Sequence, residues 1–339
     1  MYKPTTFVIA EAGVNHNGDE AIALLLVEEA ARAGADAVKF QTFKADSLVT
    51  KTAETAEYQQ KQTGNSTQHA MLRKLELSEQ AHKNIFEHCA QHNIEFMSTA
   101  FDEDSLDFLC DLGIKRIKIP SGELTNTPLL TYSASKHLPI ILSTGMATMG
   151  EVEEALQVLR GSTCAPIIVL HCTSNYPTSI QDVHLRAMKR MGDTFGTPVG
   201  YSDHTLSTVI PAASVAMGAI VIEKHITLDN SSEGPDHRSS LTPGPFTIMV
   251  QAIREVEQCL GSEDKQPTEN ELKVQNVVRR SVVSACDIPS GTIIKSENVV
   301  LRRPGTGIQP RDFSKVIGKK TTRNIETGSL LDWEDLEDA

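Results

Sequence analysis

The chain has 339 residues, of which 40% are hydrophobic, so it can form a core of one to three domains and is neither disordered nor fibrous. Its 32 Lys and Arg against 44 Asp and Glu give a net charge of −12, which argues against a nucleic-acid or membrane-surface partner. No apolar run reaches the roughly 20 residues that span a bilayer, and no signal-peptide pattern is present. The six cysteines are scattered and show no CxxC spacing, which fits a reducing compartment. The sequence therefore predicts a cytoplasmic protein.

Eight short apolar runs alternate with segments of helical periodicity, and they begin at Phe7, Asp36, Ile94, Ile114, Pro139, Pro166, Thr197 and Ala219. After the first run, the pattern predicts a helix from Glu20 to Ala33, with Asp19 as its N-cap and Gly34 as its left-handed stop. Its predicted buried face comprises Ile22, Leu25, Leu26 and Ala30. Eight strand–helix units in about 260 residues predict an α/β fold, the (β/α)₈ TIM barrel.

The remainder of the chain predicts a second, smaller domain. Residues 263–281 are polar and predict a linker with a short helix between a barrel of residues 1–262 and a β-rich module of residues 282–339. Within the module, Asp287–Val299 and Asn324–Leu336 form a weak internal repeat, each copy predicting a strand, a Gly turn, a strand and a short helical turn.

Polar residues follow the predicted strands at their carboxyl ends, where barrel active sites lie. Lys39 and Gln41 are two apart on the second strand, and Glu223 and His225 repeat that spacing on the eighth, so both pairs are expected to face the barrel mouth. Glu11, at the end of the first strand, is an available partner for Lys39. The predicted active site therefore lies at this mouth.

Two histidines at the ends of neighbouring strands, His204 and His225, are candidate metal ligands. Two imidazoles with open positions suit manganese or magnesium, since a structural zinc takes four protein ligands and a catalytic zinc three. His171 is a candidate third ligand. Two hydrogen-bonded core histidines remain the alternative interpretation.

Hydroxyl groups crowd the same predicted rim. With Lys39 and Lys118 they predict binding of a small anion such as a phosphate ester that also bears a carboxylate, although helix capping is the alternative for each one. A loop with Asp236 and His237 is placed to cover the mouth. Phosphate-loop, dinucleotide, GxSxG and HExxH motifs are absent from the sequence. The hydroxyl residues are Thr99, Ser121, Ser143, Thr144, Thr173, Ser174 and Ser202.

The motifs EAGVNHNG, VKFQTFKAD, KIPSGEL, LHCTSNYPT, GYSDHT, EKHITLD, GPDHRSSL and RRPGTGI together resemble the sialic acid synthases, the bacterial N-acetylneuraminate synthases and their legionaminate-forming relatives. The resemblance implies a TIM barrel followed by an antifreeze-like (SAF) domain in a domain-swapped homodimer. It implies condensation of phosphoenolpyruvate with N-acetylmannosamine, giving N-acetylneuraminate and phosphate by C–O cleavage. The alternative acceptor is 2,4-diacetamido-2,4,6-trideoxymannose, which gives a legionaminic acid.

The resemblance also implies residue roles. A divalent cation, expected to be Mn²⁺ with Mg²⁺ or Co²⁺ as alternatives, is held by His204 and His225. Lys39 and either Glu11 or Glu223 are catalytic. Implied phosphoenolpyruvate contacts are Lys39, Thr99, Lys118, Ser121, Ser143, Ser202 and one of Ser174 and Asn175, because many relatives have Asn where this chain has Ser174. Implied sugar contacts are Glu11, Gln41, Tyr176, Glu223, Asp236 and, contributed by the partner chain, Arg303.

Two other functions compete with this interpretation. One is a metal-free pyruvate aldolase that forms a Schiff base through Lys39 or Lys118. The other is a carbohydrate- or ice-binding protein that acts through its terminal module, which would need a flat Thr-rich face where the sequence offers only scattered threonines.

Overall fold

The computed structural model describes residues 6–56, 60, 63, 64 and 67–339, and it divides the chain into two compact units, Met1–Gly261 and Ser262–Ala339. The first unit contains a closed barrel of eight parallel strands in chain order, which confirms the predicted TIM barrel. These strands are β1 (Phe7–Gly13), β2 (Ala37–Thr42), β3 (Glu95–Ala100), β4 (Ile117–Ile119), β5 (Ile140–Ser143), β6 (Ile167–Cys172), β7 (Val199–Asp203) and β8 (Val221–His225).

Helices surround this barrel. None of the described helices combines the length and the apolar composition needed to cross a membrane. In chain order they are α1 (Glu20–Arg32), α2 (Ala45–Leu48), α3 (Gln68–Leu75), α4 (Glu79–Gln91), α5 (Glu103–Leu112), α6 (Thr127–Ser135), α7 (Met149–Ser162), α8 (Leu185–Phe195), α9 (Val209–Ala216) and α10 (Pro243–Leu260).

For the first helix, the sequence pattern predicts the capping residues correctly but the buried face only in part. As predicted, the Asp19 side chain caps α1 by accepting a hydrogen bond from the Ala21 amide, and Gly34 follows the helix with φ +84°. The predicted face is wrong at Leu25, which is 47% exposed. The run LLLV allows several buried faces, and the i, i+3, i+4, i+7 stripe that packs inward is Ala23, Leu26, Val27 and Ala30.

The barrel interior changes from apolar to polar along the strands. Six inward residues form an apolar cluster: Ile9, Ala37, Met97, Ile141, Leu170 and Val221. Side chains two positions further along each strand face the same way. These are Glu11, Lys39, Thr99, Ser143, Cys172 and Glu223. A hydrocarbon layer therefore supports a polar layer at the carboxyl ends of the strands.

The second unit contains α11 (Glu269–Val278), α12 (Phe313–Val316) and two antiparallel pairs, β9 (Ser281–Ser284) with β10 (Val299–Arg302), and β11 (Lys320–Thr321) with β12 (Leu336–Glu337). The α11 helix lies within the predicted linker. The two repeat copies correspond in structure, because Ile288 and Ile325 form an antiparallel bridge, and Gly291 and Gly328 both have positive φ. Equivalent apolar residues of both copies lie in one small core.

Candidate active site

A cavity of about 520 Å³ opens at the carboxyl ends of the barrel strands. Most of the side chains predicted as catalytic, anion-binding, sugar-binding or metal-ligating line it. The predicted residues that line the cavity are Glu11, Lys39, Gln41, Thr99, Lys118, Ser121, Ser143, Ser174, Tyr176, Ser202, His204, Glu223, His225 and Asp236.

Two buried lysines and two buried glutamates lie at the centre of this cavity. Lys39 Nζ is 2.6 Å from Glu11 Oε2 and 3.7 Å from Glu223 Oε2. Lys118 Nζ is 3.6 Å from the other oxygen of Glu223. Lys39 also donates a hydrogen bond to the Thr99 hydroxyl at 3.1 Å. The strand register explains this proximity, because Glu11 is paired with Lys39 and Thr99 with Lys118 across neighbouring strands.

Burial and the neighbouring charges divide the carboxyl groups into two kinds. Burial raises the pKa of Glu11 to about 7 even though Lys39 opposes the shift, and the nearby Glu223 charge acts in the same direction as burial. Burial also raises the pKa of Asp236, to about 6. For Glu223 burial again disfavours the charge, but Lys118 and Lys39 outweigh it and the net pKa is lowered. One carboxyl can therefore hold a proton near neutrality while its neighbour stays ionised.

The pKa values of the two lysines are also shifted in opposite directions. Burial lowers the pKa of Lys118, with only partial compensation from Glu223. For Lys39 the charges of Glu11 and Glu223 outweigh burial, and the pKa is raised. Both ammonium groups lie where an anion would gain two charge-assisted contacts.

The two histidines converge as predicted, with ring centroids 5.4 Å apart. His204 Nδ1 is 2.7 Å from the Thr173 carbonyl oxygen, so this nitrogen carries the hydrogen and Nε2 keeps a free lone pair. His225 Nδ1 is buried and has no hydrogen-bond partner. Burial lowers the pKa of His204, and burial together with the His204 ring lowers that of His225. The neutral imidazoles that metal binding requires are thus favoured.

A glycine allows the predicted sugar-binding side chains to approach one another. Gly13 has φ +54°, and a Cβ placed on it would be 3.2 Å from Glu11 Oε1, 3.4 Å from Gln41 Nε2 and 3.6 Å from Asp236 Oδ2. Glu11, Gln41 and Asp236 therefore surround one point, although they come from three separate segments of the chain.

Hydroxyl groups complete the polar lining on the other side. Ser143 Oγ is buried without a hydrogen-bond partner. Ser202 Oγ donates to Glu223 at 3.2 Å, and Ser121 Oγ accepts from the Gly145 amide at 2.9 Å. Ser174 lies beside Ser121, because a Cβ on Gly145 would be within 3 Å of both hydroxyl oxygens. An unpaired buried hydroxyl in the same cavity as two lysines is a group that a bound anion would satisfy.

Five candidates of the first unit do not line this cavity. Two are hydroxyls that donate to backbone carbonyls instead, Thr144 to Leu170 and Thr173 to Asp182. Asn175 is exposed and does not line it, so of the two alternatives Ser174 is the residue that the structure brings to the site. Arg303 is exposed in the second unit. His171 Nε2 bonds to the Val183 carbonyl at 2.7 Å and His237 Nδ1 to Thr227 Oγ1 at 2.7 Å, and neither histidine lines the cavity. The suggestion of His171 as a third ligand therefore has no structural support.

The sequence interpretation missed one side of the cavity, which is apolar. Met71, Leu72 and Leu75 of α3 line it together with Val14 and Phe101. The signal was available in the segment QHAMLRKL, where apolar residues recur one and four positions apart. That segment lies between two strand–helix units and was not assigned to the site.

Comparison with known proteins gives matches over both units. The model of the NeuB family matches residues 26–265, and that of the SAF domain matches residues 279–337. The chain is 52% identical to N,N'-diacetyllegionaminic acid synthase of Legionella pneumophila, over 98% of this chain and 95% of that protein. It is 46% identical to the protein of the same name from Campylobacter jejuni, over 96% of this chain and 98% of that protein.

A solved structure agrees with these matches. The N-acetylneuraminic acid (sialic acid) synthetase of Leptospira borgpetersenii, in complex with citrate, superposes with a TM-score of 0.72 at 32% identity, over 79% of this chain and 90% of that chain. The predicted resemblance and the predicted SAF domain are both confirmed.

Proposed function

We propose that this chain, which belongs to the NeuB family, condenses phosphoenolpyruvate with 2,4-diacetamido-2,4,6-trideoxymannose to give N,N'-diacetyllegionaminate and phosphate. The observation that carries the proposal is the single cavity in which paired lysines, two converging histidines and three carboxyl groups meet. The acceptor follows from the names of the relatives that are 52% and 46% identical. They favour the alternative acceptor over N-acetylmannosamine, which was the first expectation from the sequence.

The lysines and hydroxyls would hold phosphoenolpyruvate. Lys39 and Lys118 supply two positive charges, and Ser143 Oγ supplies a hydroxyl that has no other partner. A phosphate and a carboxylate fixed at separate points leave the vinyl group with one orientation. Positioning of this kind accounts for much of the rate in reactions that join two substrates.

The donor set at the histidines fits a divalent cation. His204 presents Nε2 because its Nδ1 is bonded to the Thr173 carbonyl, and the buried Nδ1 of His225 lacks a partner. Two neutral imidazoles with open positions suit Mn²⁺, with Mg²⁺ and Co²⁺ as alternatives. When bound, such a cation supplies Lewis acidity toward an aldehyde oxygen.

Glu11 is assigned the proton transfers. The vinyl carbon of phosphoenolpyruvate attacks the aldehyde carbon, and the neutral Glu11 carboxyl donates its proton to the forming alkoxide oxygen. Water then adds at the phosphate-bearing carbon and returns a proton to Glu11. As the C–O bond to phosphate breaks, the hydroxyl of the adduct passes its proton to the departing phosphate, and a 2-keto acid remains. Glu223, whose pKa is lowered, stays ionised and orients Lys39 and Lys118.

Phosphate release from phosphoenolpyruvate tests the proposal. We expect release to require an acceptor, and to be faster with the 2,4-diacetamido sugar than with N-acetylmannosamine at equal concentration. Faster release with N-acetylmannosamine would restore the first expectation. No release with either sugar would contradict the synthase proposal.

Removal of metal tests the role of the histidines. Protein treated with a chelator should lose product formation and regain it when Mn²⁺ is added, whereas Mn²⁺ should not rescue a His204→Ala, His225→Ala variant. Full activity of the metal-free protein would refute the Lewis-acid role.

The aldolase remains the second candidate because burial lowers the pKa of Lys118, a property that a Schiff-base lysine needs. Borohydride treatment in the presence of pyruvate distinguishes the two. A covalent adduct on Lys118 or Lys39 supports the aldolase, and its absence together with acceptor-dependent phosphate release supports the synthase.

Two further expectations stay proposals. The six cysteines are all free thiols, which is compatible with a cytoplasmic location. A domain-swapped homodimer, with Arg303 contributed to the sugar site by the partner chain, rests on the resemblance alone. Light scattering tests it, since the mass of one chain would contradict the dimer.

A further inference from the structure

The cavity has an apolar side that the proposed chemistry does not use. Five of its lining residues belong to one hydrophobic cluster, here named the apolar wall: Val14, Met71, Leu72, Leu75 and Phe101. Met71, Leu75 and Val14 are buried, while Leu72 and Phe101 are half-buried. A wall of this kind is part of the packed structure and is also a surface that a ligand can contact.

The apolar wall and the polar groups come from different parts of the fold. Val14 and Phe101 follow β1 and β3, and the other three residues lie on one face of α3. The histidines and lysines come from the strand ends. The wall and the histidines line the same cavity, so an acceptor with its aldehyde carbon near the histidines could place another part of its carbon chain against the wall.

An apolar surface binds a methyl group more favourably than a hydroxymethyl group. The side chains of the apolar wall have no oxygen or nitrogen, so a hydroxyl pressed against them would lose its water without gaining a hydrogen bond. A methyl group at the same place is favoured by the contact. Hydrophobic pockets reject an analogue that merely adds a hydroxyl by about 100-fold at most.

We propose that the apolar wall, with Leu72 as its most accessible α3 member, contacts the C6 methyl group of the acceptor and so selects 6-deoxy sugars over 6-hydroxy sugars. This inference rests on the proposed function, because it names the feature of the acceptor that the same cavity recognises.

Two sugars that differ by one oxygen atom are the probes: N-acetylmannosamine and its 6-deoxy analogue. Each is assayed with phosphoenolpyruvate for phosphate release. We expect wild-type protein to prefer the 6-deoxy sugar by about tenfold or more in kcat/KM. Leu72→Gln, which brings an amide to the wall, should reduce the preference to about twofold or less, mainly through KM. Leu72→Ala should reduce it without adding a polar group, which covers the case in which Leu72→Gln does not fold.

Leu48→Gln is the matched control. Leu48 is half-buried and packs against the same cluster, but it does not line the cavity. This variant should lose similar packing and keep the wild-type preference. Equal use of both sugars by wild type, or an equal fall of preference in the Leu72→Gln and Leu48→Gln variants, would overturn the role of the wall and leave the synthase intact. Absence of phosphate release with every sugar would overturn the synthase proposal, and the wall with it.

Discussion

The two faces of β7 and β8 carry buried charges that are partnered very differently. On the outer face, Lys224 Nζ is 2.6 Å from Asp203 Oδ2 and also donates to the Thr205 carbonyl. Asp203 accepts further hydrogen bonds from the Tyr201 hydroxyl and from the amide and hydroxyl of Thr205. Both side chains of this ion pair have no exposed surface. The outer pair is therefore buried, and each charged group has at least two hydrogen-bond partners.

On the inner face the charges are buried but incompletely satisfied. Glu223 is 3.6 Å from Lys118 and 3.7 Å from Lys39, and its Oε2 atom and His225 Nδ1 have no hydrogen-bond partner. An unsatisfied buried polar group costs about 1–3 kcal/mol of stability. The outer pair therefore stabilises the fold, whereas the inner groups keep unused hydrogen-bonding capacity for a ligand.

The largest expected effect is on the outer pair. Lys224→Met would leave Asp203 as an uncompensated buried charge, so we expect a loss of about 3–5 kcal/mol in the free energy of unfolding. Urea unfolding measures it. A loss below about 1 kcal/mol would show that the outer pair does not have the structural role assigned to it.

A lysine-to-methionine substitution on the inner face should lower the activity rather than the stability. Lys118→Met removes a lysine whose burial already disfavours its charge, so the free energy of unfolding should fall by less than about 1 kcal/mol. Phosphate release should fall about 10²- to 10³-fold, because an electrostatic contact to the reacting anion is lost. Urea unfolding and the phosphate assay are run on the same preparation. Full activity, or a stability loss equal to that of Lys224→Met, would abolish the distinction between the faces.

The smallest effect concerns the proton on Glu11. Its pKa is raised to about 7, and the protonated form is the proposed donor. The kcat/KM for the acceptor should therefore decrease about tenfold per pH unit as pH rises above 7. Glu11→Gln should remove this alkaline limb from the residual activity. If kcat/KM of the variant still decreases above pH 7 as in the wild type, the ionisation belongs to a group other than Glu11.

Strand periodicity explains how much of the site could be predicted from the sequence. Lys39, Gln41, Glu223 and His225 were assigned to the inner face because alternate residues of a strand face the same side, and all four line the cavity. Lys224 stands between Glu223 and His225 in the chain and lies on the opposite face, as the same alternation requires. The eight strand–helix units sufficed for the barrel, because few architectures satisfy that repetition.

The parts that were missed depend on contacts between distant segments. The partner of Lys224 is set by the register of β7 against β8, which the sequence does not state. The apolar wall depends on α3 packing beside the ends of β1 and β3, and no local pattern predicts that placement. Ser174 and Asn175 could not be separated because they lie beyond the end of β6, where strand alternation no longer fixes side-chain direction.

The most direct test of the account follows the bridging oxygen of phosphoenolpyruvate. Phosphoenolpyruvate with ¹⁸O between carbon and phosphorus is turned over with the 2,4-diacetamido sugar, and the released phosphate is examined by ³¹P NMR. We expect the label to leave with phosphate, and release to occur only when the sugar is present. Unlabelled phosphate, or labelled phosphate formed without the sugar, would contradict condensation with C–O cleavage in this cavity.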